Sequence, residues 1–317
     1  MKSIIYLLLF VLFLTSNAFA CDYCLVAQGI SPLETFKGAG IRINERYLIL
    51  NRVYHGTDKL TNPGDKEEFW TTEFTGFYGV TEDIILMATI PVRKTSQNGE
   101  LHMETMTLDA SGQGGQTGLG DVSIMGRYSF FKKHTIDSAT AIAGLLGIKF
   151  PTGKTNGRTD SGADFLDSHM QLGTGSVDPL VGLSLSHSIM RFSLSANLLG
   201  IITTEGKAGD VKHQFGNTLN YDLTAKYRVY PTVFGMESPQ IFLAIGFNGE
   251  TTGGEKEDGV KLVDSGGSTV YLSPGVQVVV APRWIFELSY QDAIYHNLYG
   301  TQPGPDYRMS GGITYLF

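Results

Sequence analysis

The 317-residue sequence has little charge, and what charge it carries is mostly negative. Charged residues make up 17% of the chain, whereas soluble proteins carry about 25%. The formal net charge is −7, and no run of lysine and arginine supplies the basic surface that nucleic acid requires. These two shortages argue against an ordinary soluble enzyme and exclude a nucleic-acid-binding protein.

Long apolar runs are also missing, except at the N-terminus. Lys2 precedes the apolar stretch Ile4–Leu14, and Ala18-Phe19-Ala20 has the small-x-small form of a cleavage site. We interpret residues 1–20 as a secretory signal peptide. Beyond residue 20 no apolar run approaches the roughly 20 residues of a spanning helix, so we expect no helical span in the mature chain.

Cysteine is limited to Cys21 and Cys24, which form a CxxC in the segment 21–38. A zinc site would need two further ligands, and haem attachment would need a histidine where Leu25 stands. We favour a small disulfide in an exported periplasmic segment, with a redox pair or half of a metal site as the alternative. No cofactor and no metal is predicted.

Glycine is abundant, at 39 residues, and segment 39–317 repeats an alternation of apolar and polar side chains. In Phe215–Val229, for example, Leu219 and Leu223 share one face while Asp222 and Lys226 share the other. A two-residue period is typical of β-strands. Twelve segments show it, near 40–53, 68–80, 84–93, 122–130, 139–150, 176–186, 191–202, 215–229, 240–248, 270–280, 284–290 and 306–317.

Short connections between these segments alternate with long ones that are rich in glycine, aspartate and threonine. This layout is typical of bacterial outer-membrane barrels, with turns in the periplasm and loops outside the cell. We therefore predict an all-β fold, a transmembrane antiparallel up-and-down β-barrel of about 12 strands with both termini periplasmic. A soluble β-sandwich is the alternative, but aromatic residues near the strand ends favour the barrel.

The polar faces of the segments carry both signs of charge, as a barrel interior would. We expect these side chains to fill the bore with ion pairs, and a direct role in lining a solute path is the alternative. The candidate lumen-lining residues are Arg42, Arg46, Glu73, Asp121, Arg127, Asp178, Arg191, Asp222, Lys226, Arg228, Glu287 and Arg308.

The chain ends on an amphipathic segment whose last residue is Phe317. This pattern resembles the signal by which outer-membrane barrels are recognised for insertion. We therefore expect the barrel-assembly machinery to bind the Phe317 strand, and outer-membrane lipid and lipopolysaccharide to surround the barrel.

Two histidines have acids nearby in sequence, in Asp167-Ser168-His169 and in Asp210 with His213. A barrel hydrolase would need one of these histidines within hydrogen-bond reach of an acid or a serine. Serine, aspartate and histidine are common in solvated loops, so we predict no catalytic residue and no enzyme activity.

Three stretches occur in order along the chain. Gly118–Asp121 opens a segment, Phe150–Lys154 closes the next, and Leu172–Asp178 enters the one after. With the aromatic C-terminus they resemble the outer-membrane transporter family known as the "MetA-pathway of phenol degradation" group, over about residues 118–317. The resemblance implies a barrel that passes small, often aromatic or hydrophobic, compounds.

Two functions follow as hypotheses. The first is an outer-membrane channel for passive uptake of small solutes, with selectivity set by inward side chains and by loops 94–120 and 249–268. The second is a structural or partner-binding barrel with a plugged lumen, whose segment 21–38 docks a periplasmic protein through the CxxC.

Overall fold

A computed structural model describes residues 38–102, 104–232, 239–280 and 283–317. The described part is built from β-strands, with two single-turn 3-10 helices, Ala110–Gly112 and Ser168–Met170. The strands are β1 (Ala39–Gly56), β2 (Asp58–Leu60), β3 (Glu67–Gly79), β4 (Ile84–Gln97), β5 (Glu100–His102), β6 (Thr107–Asp109), β7 (Gly114–Leu119), β8 (Ser123–His134), β9 (Ser138–Lys149), β10 (Asp178–Ile189), β11 (Phe192–Ile201), β12 (Gly206–Ala208), β13 (Val211–Gln214), β14 (Thr218–Tyr230), β15 (Gln240–Thr252), β16 (Lys256–Glu257), β17 (Val260–Lys261), β18 (Gly267–Val280) and β19 (Trp284–Leu316).

Eleven of these strands form one closed antiparallel barrel, in the order β1, β3, β4, β8, β9, β10, β11, β14, β15, β18, β19 and back to β1. An odd number of strands cannot close with every neighbour antiparallel. The last strand, β19, crosses the barrel wall twice and so makes the number of spans even. Its residues 284–298 pair with β18, and its residues 301–316 pair with β1. The chain reverses near Gly300, where φ is +63°. The barrel therefore has twelve spans, as the sequence predicts.

Side chains alternate between the two faces of the barrel along every span. The outer face is apolar, and its exposed residues form a belt that includes Ile43, Phe74, Leu86, Ile124, Leu146, Leu183, Leu198, Leu219, Leu243, Phe247, Leu288 and Ile313. Aromatic side chains lie at both edges of this belt. Tyr47, Trp70, Tyr290 and Tyr307 form one aromatic group and Trp284, Phe286, Tyr315 and Phe317 form another.

The two ends of the barrel differ in the length of their connections, as the sequence predicts. Between spans, residues 80–83, 135–137 and 190–191 make short turns at the turn end, while residues 98–122, 150–177 and 253–266 make long loops at the loop end. The last residue, Phe317, lies at the turn end and donates its N–H to the carbonyl of Ala39 at 2.9 Å.

The long loops fold back onto the barrel instead of extending away from it. The loop of residues 150–177, hereafter the plug loop, inserts Leu166 and Met170 into the bore, where they pack against Phe69. Strands β12, β13, β16 and β17 form a small separate sheet over the loop end. Among the described residues, no helix is long and apolar enough to cross a membrane.

Residues 1–37 lie outside the described part of the chain. The expected signal peptide, the segment 21–38 apart from its last residue, and the Cys21–Cys24 disulfide therefore remain predictions.

Candidate functional site

The first cluster of bore-lining charges lies on β1, β3 and the end of the barrel where β19 begins. Arg42 pairs with Glu287 at 3.0 Å, and Arg46 pairs with Glu73. Asn44 donates to the second oxygen of Glu73 at 3.2 Å. All five side chains are at least nine-tenths buried, so adjacent strands satisfy each other's charges inside the barrel.

A second cluster fixes the plug loop to the barrel wall. Lys149, at the end of β9, lies between Asp121 and Asp178 and pairs with both. Asp121 also accepts the backbone N–H groups of Gly153 and Thr174, each at 2.8 Å. Both ends of the plug loop are therefore held by one buried carboxylate. All of these residues except Lys149 come from the three sequence stretches that carry the family resemblance, so the stretches meet in space.

Gly153 and Gly173 explain why those stretches are rich in glycine. The two residues lie back to back beside Asp121, and a Cβ on either would collide with backbone atoms of the other. Glycine is therefore required by the close approach of the two ends of the plug loop.

Four further predicted lining residues, Arg127, Asp222, Lys226 and Arg228, lie on β8 and β14. Asp222 accepts both hydrogen bonds of the Asn197 amide, at 2.9 and 3.2 Å. Arg127 donates to Ser129 at 2.8 Å. Lys226 and Arg228 are buried on the same inward face of β14. The charged side chains of β8 and β14 therefore lie on the inner face of the barrel.

Arg191 lies elsewhere than the sequence predicts. It falls in the turn after β10, where Met190 has φ +51°, and the two-residue alternation stops. Its guanidinium donates to the carbonyl of Arg228 at 2.9 Å and lies 4.7 Å from the ring centre of the outward-facing Tyr227. Arg191 therefore belongs to the rim of the turn end and not to the bore.

A cavity of about 270 Å³, the mouth cavity, opens at the loop end of the bore. Its floor is the pair of Arg308 and Glu250, joined at 2.8 Å, with the Arg308 guanidinium 4.4 Å from the ring centre of Tyr271. Its apolar lining is Leu48, Leu50, Phe69, Leu262, Leu298, Pro303 and Pro305. Its charged lining is Glu67, Arg93, Asp167, His169, Glu250, Glu255, Asp264 and Arg308.

His169 joins the plug loop to β3 at the edge of the mouth cavity. Its Nε2 atom lies 2.9 Å from Glu67 and its Nδ1 atom 3.5 Å from Asp167. Partial burial opposes its charge, but the two carboxylates outweigh burial and raise the pKa of His169 well above its usual value. Arg93 and Thr95 hold the same loop by donating to the carbonyls of Gln171 and Met170, at 3.0 and 2.9 Å.

A second, smaller space of about 50 Å³ lies where the wall between β18 and β19 is interrupted. The register of these strands has no pair at Ser273 or Pro274, and proline has no N–H to donate. Inward residues such as Ser273 and Gln277 and the outward Leu288 line the same space. Ser273 is two residues after Tyr271 on β18, and the Tyr271 ring lies against Arg308 in the floor of the mouth cavity.

Sequence reasoning missed several residues that complete these groups. Lys149 falls on the inward face of β9 by the two-residue period, but its neighbours Ala141, Ala143 and Leu145 on that face are apolar and gave no sign of a charged interior. Glu67 and Glu250 are acids at strand ends whose partners lie far along the chain. His213 pairs with Glu255 at 2.8 Å and not with Asp210, which is exposed.

A closed antiparallel barrel with an apolar outside and a charged inside is of the outer-membrane type. The sequence matches the model of the family described as "Putative MetA-pathway of phenol degradation" over residues 67–296, and the chain belongs to that family. No curated protein is detectably similar to it in sequence.

Among solved structures, the chain is similar to an outer membrane channel from Pseudomonas putida F1, with a TM-score of 0.69 and 14% identity over 95% of this chain and all of that one. Looser similarity extends to the monoaromatic hydrocarbon channel CymD, with a TM-score of 0.43 and 13% identity over 94% of this chain and 95% of the other. The Pseudomonas putida toluene transporter TodX is similar with a TM-score of 0.39 and 9% identity, over 95% of this chain and 94% of the other.

Proposed function

We propose that the chain is a bacterial outer-membrane channel for passive uptake of small, apolar and often aromatic solutes, with its loop end outside the cell and its turn end in the periplasm. The mouth cavity carries this proposal, because it offers an apolar wall of solute size at one end of the barrel. The family membership and the fold shared with an outer membrane channel support it.

The outer surface fits a thin bilayer. Tyr307 and Tyr315 lie in the two aromatic groups, eight residues apart on the span that pairs with β1. Eight residues of strand cover roughly 26 Å, and a tilt of about 40° shortens this to roughly 20 Å, close to the apolar band of outer-membrane barrels. We therefore place the barrel in the outer membrane, in contact with lipid and lipopolysaccharide.

The filled part of the bore below the mouth cavity limits the paths that a solute can take. Below the mouth cavity the bore is filled by buried ion pairs, which an apolar solute would have to desolvate and separate at high cost. The interrupted wall beside Pro274 is close to the cavity floor and leads to the apolar belt. We propose that the solute passes Tyr271 and leaves the bore sideways between β18 and β19.

The sideways path is tested by closing it. The background chain carries Cys21→Ser and Cys24→Ser. In this chain, Ser273→Cys with Gln291→Cys places two thiols opposite each other across the interruption, next to the paired residues Leu272 and Asp292. Oxidation should abolish uptake of radiolabelled ethylbenzene by bacteria carrying the protein, and reductant should restore it. The control pair Val278→Cys with Phe286→Cys, at a regularly paired part of the same strands, should leave uptake unchanged. Normal uptake through the oxidised test pair would exclude this path.

Opening the cavity floor gives a complementary test. Tyr271→Ala removes a fully buried ring between the two spaces and should raise ethylbenzene uptake severalfold. Tyr295→Ala removes an outward ring and should leave it unchanged. If neither variant, nor the native protein, exceeds bacteria lacking the protein, the channel itself is refuted.

The proposal assigns the mouth cavity to binding and not to catalysis. His169 meets the distance criterion for a catalytic histidine, but both its nitrogens face carboxylates, which raise its pKa well above the usual value and disfavour the neutral form that acts as a base. The hydroxyl of Ser168 hydrogen-bonds Asp167, at 3.4 Å. No serine–histidine pair of the kind a hydrolase needs is formed at His169.

The filled bore also favours the second hypothesis, a plugged barrel that docks a periplasmic protein through segment 21–38. Deletion of 21–38, or Cys21→Ser with Cys24→Ser, should then abolish function while insertion is retained. Unchanged ethylbenzene uptake in both variants would reject it.

Insertion is expected to depend on the C-terminal strand. Phe317 is exposed on the outer face of the turn end, edge-on to Tyr315. We propose that the barrel-assembly machinery binds it, and deletion of Phe317 should lower the amount of inserted protein.

A further inference from the structure

The mouth cavity combines an apolar wall with an excess of acid. Leu48, Leu50 and Phe69 form a continuous apolar surface from neighbouring strands β1 and β3. Around it, five carboxylates line the cavity against only three cationic side chains, Arg93, Arg308 and His169. The cavity is therefore negative even with His169 protonated.

Most of the lining acids already have a partner. Arg308 pairs with Glu250, His213 pairs with Glu255, and the backbone N–H of Thr301 donates to Asp264 at 2.8 Å. Asp167 accepts the N–H of Ser168 at 2.6 Å. Glu67 differs from these acids in that its second oxygen is buried and has no hydrogen-bond partner among the described residues.

Glu67 has a side chain that is 7% exposed. Its Oε1 atom contacts His169 at 2.9 Å, and its Oε2 atom has no hydrogen-bond partner among the described residues. A buried carboxylate oxygen without a donor is costly. Asp65, two residues earlier, is also buried with an unpartnered Oδ2 atom.

Asp65 shows the combined effect of burial and of a neighbouring carboxylate at this corner. Burial first, and then the charge of Glu67, raise the pKa of Asp65 to about 7. Part of the population therefore retains a proton on Asp65 near neutral pH, where a carboxyl group in water would be ionised. A cation brought into the cavity would relieve the same repulsion.

We propose that the mouth cavity selects solutes that join a protonated amine to an apolar, ring-sized body, with the ammonium donating to Glu67 and the ring lying on Leu48, Leu50 and Phe69. The inference rests on the proposed channel, because it names the class of solute that the same cavity prefers. An anion would meet the excess of carboxylates, and a neutral alcohol would leave their charge uncompensated.

Binding of three matched ring compounds tests the preference. Isothermal titration of the full-length protein in detergent at neutral pH uses benzylamine, benzyl alcohol and benzoate as probes. We expect benzylamine to bind about tenfold more tightly than benzyl alcohol, the gain typical of one charge-assisted hydrogen bond, and benzoate to bind most weakly. Equal affinity for benzylamine and benzyl alcohol overturns the proposal.

Two neighbouring glutamates provide a matched pair of variants. Glu67→Gln should bring the benzylamine preference to about one. Glu68→Gln, whose side chain lies on the outer face and accepts from the Tyr47 hydroxyl at 2.6 Å, should keep it. Loss of the preference in both variants, or in neither, contradicts a specific role for Glu67.

His169→Gln separates recognition from folding. The native His169 competes with the amine for Glu67, so its removal should tighten benzylamine binding severalfold while leaving benzyl alcohol unchanged. A purely structural Glu67–His169 contact predicts no such gain. If Glu67→Gln fails to fold, unchanged benzylamine affinity in His169→Gln is sufficient to overturn the proposal.

This inference and the channel fail in different ways. Ethylbenzene uptake without a benzylamine preference refutes the amine site and leaves the channel intact. A benzylamine preference without uptake of ethylbenzene refutes the channel and leaves the binding site.

Discussion

The two ends of the bore differ in the kind of side chain that lines them. At the loop end, acids, arginines and His169 surround a cavity of about 270 Å³, and a folded loop is held by buried ion pairs. At the turn end, Phe77, Ile85, Ile285 and Leu316 pack into an apolar cluster. Polar walls leave space for water and solute, whereas apolar side chains from facing strands close on each other. The loop end therefore holds a cavity, whereas apolar side chains pack together at the turn end, and we call this packing the turn-end seal.

The largest expected effect concerns the anchor of the loop end. Lys149→Met leaves Asp121 and Asp178 buried without their shared cation, which should cost about 3–5 kcal/mol of stability. Urea titration of the folded barrel, followed by its electrophoretic shift, measures this loss. The exposed Lys154→Met, on the same loop, is the control and should change little. A Lys149 variant as stable as the native protein would mean that the plug loop is held without this cluster.

The turn-end seal should be sensitive to side-chain volume. Ile285 is 1% exposed in the apolar cluster, and Ile285→Ala should cost about 2–5 kcal/mol through the void it leaves. It should also raise ion leakage in planar bilayers. Ile313→Ala, on the lipid-facing side of the same strand, should not raise leakage. Unchanged leakage in Ile285→Ala would show that the seal lies elsewhere.

The attachment of the plug loop at the loop end should depend on pH, whereas the apolar packing at the turn end should not. The pKa of His169 is raised by Glu67 and Asp167, so its ion pairs contribute fully below the usual imidazole pKa and are lost as pH rises through the raised value. Trypsin cleavage after Lys154 and Arg158 should therefore accelerate at alkaline pH relative to a reference substrate. His169→Gln should remove this pH dependence. Parallel pH profiles for the native protein and His169→Gln would exclude His169 as the cause.

The smallest effect is expected at the rim of the turn end. Arg191 lies over Tyr227 and near solvent, a contact typically worth about 0.5–1 kcal/mol at an exposed site. Arg191→Ala should leave uptake of ethylbenzene unchanged and alter stability by no more than this amount. A large loss of uptake would return Arg191 to the solute path.

The sequence was informative wherever one rule applied along a whole strand. The span from Thr218 to Tyr230 follows the two-residue period throughout, and Asp222, Lys226 and Arg228 lie inside as that period predicts. The same reasoning failed at Arg191, because the period does not continue through a turn. It could not find the bond between Glu67 and His169, since residues 102 positions apart meet only after the plug loop folds into the bore.

The alternation of side chains determined twelve strand segments with an apolar and a polar face, because a strand's pleat sends successive residues to opposite faces whatever its neighbours are. Together with the aromatic strand ends and the alternating connection lengths, it predicted the barrel. Tertiary structure alone decided which charges pair, where the mouth cavity lies and which apolar side chains pack together at the turn end. Those features depend on barrel closure and on the inward folding of the plug loop, which bring together residues that no local pattern connects.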